Sequence, residues 1–416
     1  MCFMTAERVG RRVMPAGVQW TRPWPEGIET VKIRKIVFWS HLGVGLAAGL
    51  VVLTLAVTGV LLTYEVQITR WAETRVAVDV SGARLSANDL AEAARRETGG
   101  RATALVFENA ETAPVTVTMG REGKILLDPF SGAVVGQGGL GAGRFFDAVT
   151  HFHRWLSPAG FSGPGRAVTG AANLGFLFLL VTGAYLWLPR IWKWAKLKTL
   201  ILFRRDYPNG QVRDFHWHHI FAFWSVIPLV FIIGTGVTLS YDRAQGLVMT
   251  LVGVGAEDGD PPQGEGAARD GGAGDAPLRS GAGGAGLEAI LAAAMAHDPA
   301  WERVTLNLPM TPEAEEATAV VDTGPGRRMT FQETLTISLA DAAVVSVKGF
   351  SEEPRAVRTF MFLRFAHTGE HFGLVGQTIA GLASLATVFM VYTGLALAYR
   401  RLVRPVLRRL RRPRGA

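Results

Sequence analysis

Four histidines stand where their chemistry is hardest to ignore. His41 precedes the Thr58-Gly59 pair by the same sequence distance as His218 precedes Thr235-Gly236. His153 and His367 precede two more such pairs, Thr182-Gly183 and Thr393-Gly394, at longer and slightly unequal distances. All four sit at the ends of long apolar stretches, where an ionisable side chain is costly and is a functional candidate by default. Neutral imidazole is a common axial ligand of haem iron, and helical bundles build cofactor sites from side chains on facing helices. A lone histidine at a membrane interface is more often a polar anchor; two symmetric pairs argue for ligation. From His41 to Thr58 a helix would rise about 25 Å, so a histidine at one end of a span cannot serve a metal at the other. The pattern therefore asks for two sites, His41 with His218 and His153 with His367, each able to hold one haem between two imidazoles. His371 follows His367 by one helical turn and is a second candidate for the same role. His216 and His219 flank His218 as interfacial residues. His151 faces away from His153, and His297 reads as a surface residue.

The elements that must position these residues are membrane spans. Val37–Tyr64, Ala167–Leu188, Ile220–Ser240 and Phe372–Tyr399 carry no charged residue, and about 20 apolar residues suffice to cross a bilayer. The segments 1–36, 189–216 and 400–416 hold 22 of the 43 Lys and Arg but 5 of the 35 Asp and Glu. Basic residues concentrate in cytoplasmic loops, so both termini are expected inside. The implied order is a basic arm (1–35), span one (36–64), an outside segment (65–150), span two (151–188) and a basic loop (189–216). Span three (217–240), a glycine-rich linker (241–286), a second outside segment (287–358), span four (359–399) and a basic tail (400–416) follow. In a bacterium this is an inner-membrane protein with two periplasmic segments. Span one reads as a retained anchor and not a cleaved signal peptide. On this topology His41 and His218 lie at the cytoplasmic face, and His153, His367 and His371 at the outer one.

Each outside segment reads as a small α+β unit. In the first, Ser86 caps a helix Ala87–Thr98, and alternating runs follow at Ala113–Met119, Gly123–Leu127 and Ala133–Val135. In the second, an Ala-rich helix Leu287–His297 precedes strands near Trp301–Leu308, Ala317–Val321, Thr330–Ser338 and Ala343–Val347. Span, α+β unit, span then occurs twice, so the fold class is an α-helical integral membrane bundle made as a duplicated two-span repeat. Small residues such as Gly43, Gly45, Gly49, Gly59 and Gly183 suit close helix packing, with each Thr of a Thr-Gly pair bonding back into its own helix. Trp39, Trp187, Trp192, Trp194 and Trp224 suit an aromatic belt at the inner face. The single Cys2 excludes a disulfide framework and a paired-thiolate metal site. No P-loop, dinucleotide fingerprint or Gly-x-Ser-x-Gly is present, and the basic run Arg408–Arg414 faces lipid headgroups, not nucleic acid.

These residues resemble the PepSY-associated transmembrane family of bacterial inner-membrane proteins over about 36–400. The matching pieces are Ser40-His41-Leu42-Gly43-Val44-Gly45, His153-Arg154-Trp155-Leu156, Phe215–Trp224, His367-Thr368-Gly369-Glu370, the four Thr-Gly pairs, and Leu126-Leu127-Asp128-Pro129-Phe130-Ser131-Gly132, which looks like a PepSY signature. Ala222 stands where the family has glycine, and the Leu339-Ala340-Asp341-Ala342 turn of the second unit lacks the proline and glycine. The resemblance implies two periplasmic PepSY-like units and two b-type haems, with His41 and His218 as inner and His153 and His367 as outer iron ligands. It further implies ferric-siderophore reduction with electrons from a cytoplasmic or quinol donor. Two other readings fit the same sequence: a non-catalytic scaffold binding a periplasmic protein, and a cytochrome b subunit serving a separate periplasmic reductase.

Overall fold

The computed structural model describes residues 28–80, 82–120, 123–138, 141–188, 194–255, 286–308, 314–324 and 328–410. Cys2, the basic arm before residue 28, most of the glycine-rich linker, and Arg190, Trp192 and Lys193 of the basic loop lie outside these residues.

Four helices are long and apolar enough to cross a membrane, Lys32–Leu62, Gly163–Trp187, Gly210–Ser240 and Glu370–Arg408, and the protein is a membrane protein. The first three fall within α1 (Ile28–Leu62), α5 (Gly163–Trp187) and α7 (Gly210–Ser240), and the fourth joins the short turn Glu370–Phe372 to α11 (Gly373–Leu410). Helix α1 packs on α5 and α11, and α7 packs on the same two, so the four close into a ring with α1 and α7 across a diagonal. Val52, Ile220, Leu229, Ile233 and Ala383 are buried between helices, while Leu50, Ile227, Val375 and Leu382 point outward, where acyl chains replace water. The glycines do not all serve helix contact. A Cβ on Gly43 would meet nothing within 4 Å, whereas one on Gly381 would lie 2.6 Å from the Thr63 hydroxyl, so α1 and α11 approach closely there.

The stretches expected as unbroken spans over 151–188 and 359–399 are each two helices. A short helix α4 (Ala142–Trp155) ends at Leu156, and α10 (Arg355–Thr368) ends at Gly369; both residues take left-handed backbone, φ 51° and 78°. After the first break Pro158 cannot continue a helix. A Cβ on Gly165 of α5 would lie 1.6 Å from the Trp155 carbonyl oxygen, and one on Gly376 of α11 would lie 2.3 Å from that of Gly369. The chain thus turns tightly between each short helix and its span, and α4 packs on α1 while α10 packs on α7. The break also holds the spacing difference between His153 and His367, because Gly165 precedes Thr182 by the same sequence distance as Gly376 precedes Thr393. The remaining helices are α2 (Glu65–Thr74), α3 (Ala87–Thr98), α6 (Trp194–Ile201), α8 (Asp242–Leu251) and α9 (Leu287–His297).

The two α+β segments share one antiparallel sheet. Strands β1 (Ala104–Glu108), β2 (Val115–Thr118), β3 (Lys124–Leu127), β4 (Val134–Gly138), β5 (Arg303–Asn307), β6 (Glu316–Asp322), β7 (Gln332–Ser338) and β8 (Val344–Gly349) run in the order β4-β3-β2-β1-β5-β6-β7-β8. The pair β1–β5, with Leu105 opposite Leu306 and Phe107 opposite Val304, joins the halves. Helices α3 and α9 cover one face, and Leu90, Ile290, Leu105, Phe107, Val115, Leu127, Leu306, Leu335 and Ile337 form the core beneath them. Alternation sends these side chains inward and Thr116, Thr305, Thr318 and Thr334 to the other face. The sheet is fixed to the bundle through α2. Arg70 bonds Glu108 of β1 at 2.7 Å and Glu302 at 3.2 Å, Lys124 of β3 pairs with Glu73, and α2 packs on α4.

The turns closing β3–β4 and β7–β8 show one geometry met by two sequences. Asp128 is buried; its carboxylate accepts the backbone N–H of Asp79 at 2.7 Å, Phe130 at 2.7 Å and Ser131 at 3.1 Å. Burial opposes its ionisation, but these N–H donors outweigh that and hold the carboxyl below the usual range. Gly132 supplies the left-handed residue, φ 71°. In the second turn Asp341 accepts from the Ala343 N–H at 3.2 Å, and Ala342 takes φ 58° in place of a glycine. A Cβ in that region costs about 1 kcal/mol or more. Ala342→Gly should therefore raise stability by about 0.5–1 kcal/mol, read as the thermal midpoint of the detergent-solubilised protein. A lowered midpoint would show that the methyl group's packing outweighs the strain.

Candidate functional site

The four histidines meet the four Thr-Gly pairs, one to one. His41 Nδ1 on α1 lies 2.8 Å from Thr182 Oγ1 on α5. His153 Nδ1 on α4 lies 2.7 Å from Thr58 Oγ1 on α1. His218 Nδ1 on α7 lies 3.2 Å from Thr393 Oγ1 on α11, and His367 Nδ1 on α10 lies 3.1 Å from Thr235 Oγ1 on α7. The glycine after each threonine lies under the ring it serves. A Cβ there would come within 3.3 Å of His41 Cε1 and His367 Cε1, 3.4 Å of His218 Cε1 and 3.8 Å of His153 Cε1. From sequence these pairs were expected to serve helix packing and internal bonding; the threonines do bond their own helices, and they also hold the imidazoles of the neighbours. The missed signal was the matched spacing itself, which puts a histidine beside the Thr-Gly pair of the next antiparallel helix.

At the end of the bundle that bears the sheet, His153 and His367 face each other with ring centroids 6.5 Å apart and planes at 62°. Two metal–nitrogen bonds of about 2 Å each, plus the two ring radii, place the centroids of imidazoles sharing one metal roughly 6.4 Å apart. At this separation His153 and His367 would hold one iron between them. Arg154, next in the chain to His153, lies over the Trp155 ring at 4.9 Å. At the other end, His41 and His218 come from helices across the diagonal of the ring. One turn beyond Gly183, Trp187 stacks on Phe223 at 5.1 Å, and its indole N–H is buried with no acceptor among the described residues. Trp187 thus turns inward, unlike Trp39, Trp194 and Trp224, which stay exposed at the surface. An orphaned buried donor one turn beyond Gly183 fits a bound acid such as a haem propionate. Among the described residues no group of three or more His, Cys, Asp and Glu gathers around a point, and paired axial ligation calls for two.

The other five histidines are held differently. His371 is not on the face of His367, because α10 ends between them; it is exposed and packs edge-on to Phe362 at 4.8 Å. His151 stacks on Trp155 at 5.1 Å. His216 uses both ring nitrogens, on the Tyr207 hydroxyl at 2.9 Å and the Thr199 carbonyl at 2.5 Å, and so pins the loop before α7. His219 bonds the Phe215 carbonyl of its own helix at 2.7 Å, and His297 meets Glu333 on the sheet. A buried carboxylate that sequence reasoning did not single out, Asp214, lies one turn before His218. It is 0% exposed, with Arg213 at 2.9 Å and Arg400 of α11 at 2.5 Å.

The family model described as the PepSY-associated TM region matches residues 38–401. The chain belongs to the PepSY-associated transmembrane family. The match takes in all four histidines and all four Thr-Gly pairs of this PepSY-associated protein. Comparison with curated proteins found no match.

Proposed function

We propose that this PepSY-associated protein is a dihaem transmembrane electron-transfer protein of the bacterial inner membrane that reduces ferric siderophores on its periplasmic side. The observation that carries this reading is the 6.5 Å separation of the His153 and His367 rings, which suits two imidazoles on one iron. When bound, each haem would supply one-electron chemistry between ferric and ferrous iron. His153 and His367 would hold the outer haem, and His41 and His218 the inner one. The glycines leave room for the rings, the apolar spans exclude water, and the buried Trp187 indole N–H offers a partner to an acidic group. Both termini and the basic loop lie in the cytoplasm on this reading, where a soluble or quinol donor delivers electrons. The sheet is tied through Arg70 and α2 to the end that bears His153, so it bounds the approach of a ferric substrate. Oxygen-rich chelators hold Fe(II) more weakly than Fe(III), so one electron per iron frees the metal. The paired sheet halves and the repeated His–Thr contacts support descent of the two halves from one duplicated two-span unit.

Protein purified after haem-replete expression should carry about two irons per chain, with the reduced α-band of b-type haem. Mixed alone with ferric siderophores, the reduced protein should reoxidise. A colourless protein would sink the reading, and a haem protein that reoxidises only with an added subunit would make it the cytochrome partner of a separate reductase.

A further inference from the structure

We infer that Thr58, Thr182, Thr235 and Thr393 are positioning residues that fix one tautomer of the four histidines, keeping the proton on Nδ1 and turning Nε2 toward the metal; this rests on the haem reading above. Each threonine hydroxyl donates to a carbonyl one turn back in its own helix: Thr58 to Thr54 at 2.7 Å, Thr182 to Phe178 at 2.7 Å, Thr235 to Phe231 at 2.5 Å and Thr393 to Phe389 at 2.7 Å. A hydroxyl has one proton. With that proton spent on a carbonyl, the oxygen can only accept, so the imidazole must donate from Nδ1. Two histidines carry an independent check. His218 Nδ1 is 3.0 Å from the Met390 carbonyl and His367 Nδ1 is 2.9 Å from the Ile232 carbonyl, and a carbonyl only accepts. A neutral imidazole protonated at Nδ1 has its lone pair on Nε2, and none of the four Nε2 atoms has a hydrogen-bond partner among the described residues.

The device separates these four histidines from the rest. Among the described residues, none of the other five has a threonine hydroxyl on Nδ1 with a glycine under the ring. The glycine is part of the device at His41 and His367, since a Cβ on Gly183 or Gly236 would come within 3.3 Å of the ring and crowd it against the hydroxyl. An acceptor on the distal ring nitrogen of a ligating histidine raises the basicity of the ligand. It therefore favours ferric over ferrous iron, and the threonines set the potentials as well as the orientation. Dependence on the hydroxyl should be greatest at His41, where Thr182 is the single acceptor on Nδ1 among the described residues, whereas His153 also meets the Leu55 backbone. It should be smaller at His218, where the Met390 carbonyl remains.

The test is a potentiometric titration of the full chain in lipid nanodiscs, with the ferric haems followed in parallel by electron paramagnetic resonance. Thr182→Val keeps the side-chain shape and removes the oxygen. The inner haem should shift toward the reduced form by about tenfold, which is about 59 mV for one electron, with changed ferric g-values. The outer haem should not move, Thr182→Ser should restore the original values, and Thr393→Val should shift less. If Thr182→Val loads only the outer haem and Thr182→Ser loads both, the assignment is equally supported. A Thr182→Val protein with two haems and unchanged potentials and g-values would overturn it, as would a serine variant indistinguishable from the valine one. A wild-type protein without haem would sink the haem reading instead, before any variant is compared.

Discussion

Replacing His153 with alanine is expected to leave one haem per chain instead of two, and His367→Ala should do the same. The two rings face each other at 6.5 Å, so neither can be replaced by a neighbour from its own helix. His151 is turned onto Trp155 and His371 onto Phe362. The prediction is specific about which absorbance survives: the remaining haem should be the one held by His41 and His218, with its potential unchanged. His371→Ala should leave both haems in place. Haem and iron assays on the purified variants decide it. Retention of two haems in His367→Ala, or loss of one in His371→Ala, would move the outer ligand to His371 and break the pairing argued from the geometry.

The second large effect is expected on stability, at the opposite end of the bundle. Asp214 is fully buried between Arg213 and Arg400, and the Arg400 bond ties α7 to α11 beside the contact of His218 with Thr393. Arg400→Ala would leave a buried carboxylate short of one partner, and breaking a buried pair from one side costs about 3–5 kcal/mol. The lower end, about 3 kcal/mol, is expected here because Arg213 stays on the other oxygen. Removing Asp214 as well should recover part of the loss, since no buried charge then lacks compensation. Unfolding of the detergent-solubilised single and double variants measures both terms. A single-variant cost below about 1 kcal/mol, or a double variant that simply adds the two losses, would mean that the carboxylate reaches water in solution.

How much of this was legible in advance differs by level. Four spans could be read directly, because a bilayer core enforces about 20 residues without charge, and that constraint acts on each segment alone. Ser86 marked the start of α3 and period-two alternation marked β6 and β7 for the same reason: caps and pleats are local. Strand β1 escaped, because Ala104-Leu105-Val106-Phe107 is a short apolar run with no period that separates strand from helix. Its role also escaped. Its partner β5 lies beyond two further spans, α5 and α7, and only the folded chain brings Leu105 to Leu306.

The site divides along the same line. Residue types and spacing singled out His41, His153, His218 and His367, sorted them into two pairs, and set the pairs at opposite ends of the spans. Rise per residue is a fixed property of the helix, so sequence distance along a span is spatial distance. Which histidine of a neighbouring pair faces inward was decided by backbone breaks at Leu156 and Gly369, which a helical wheel cannot show. The joining of each imidazole to a threonine on another helix, the inward turn of Trp187 and the burial of Asp214 were likewise settled by helix packing. These are contacts between elements, and their energies arise only when the ring of four helices closes.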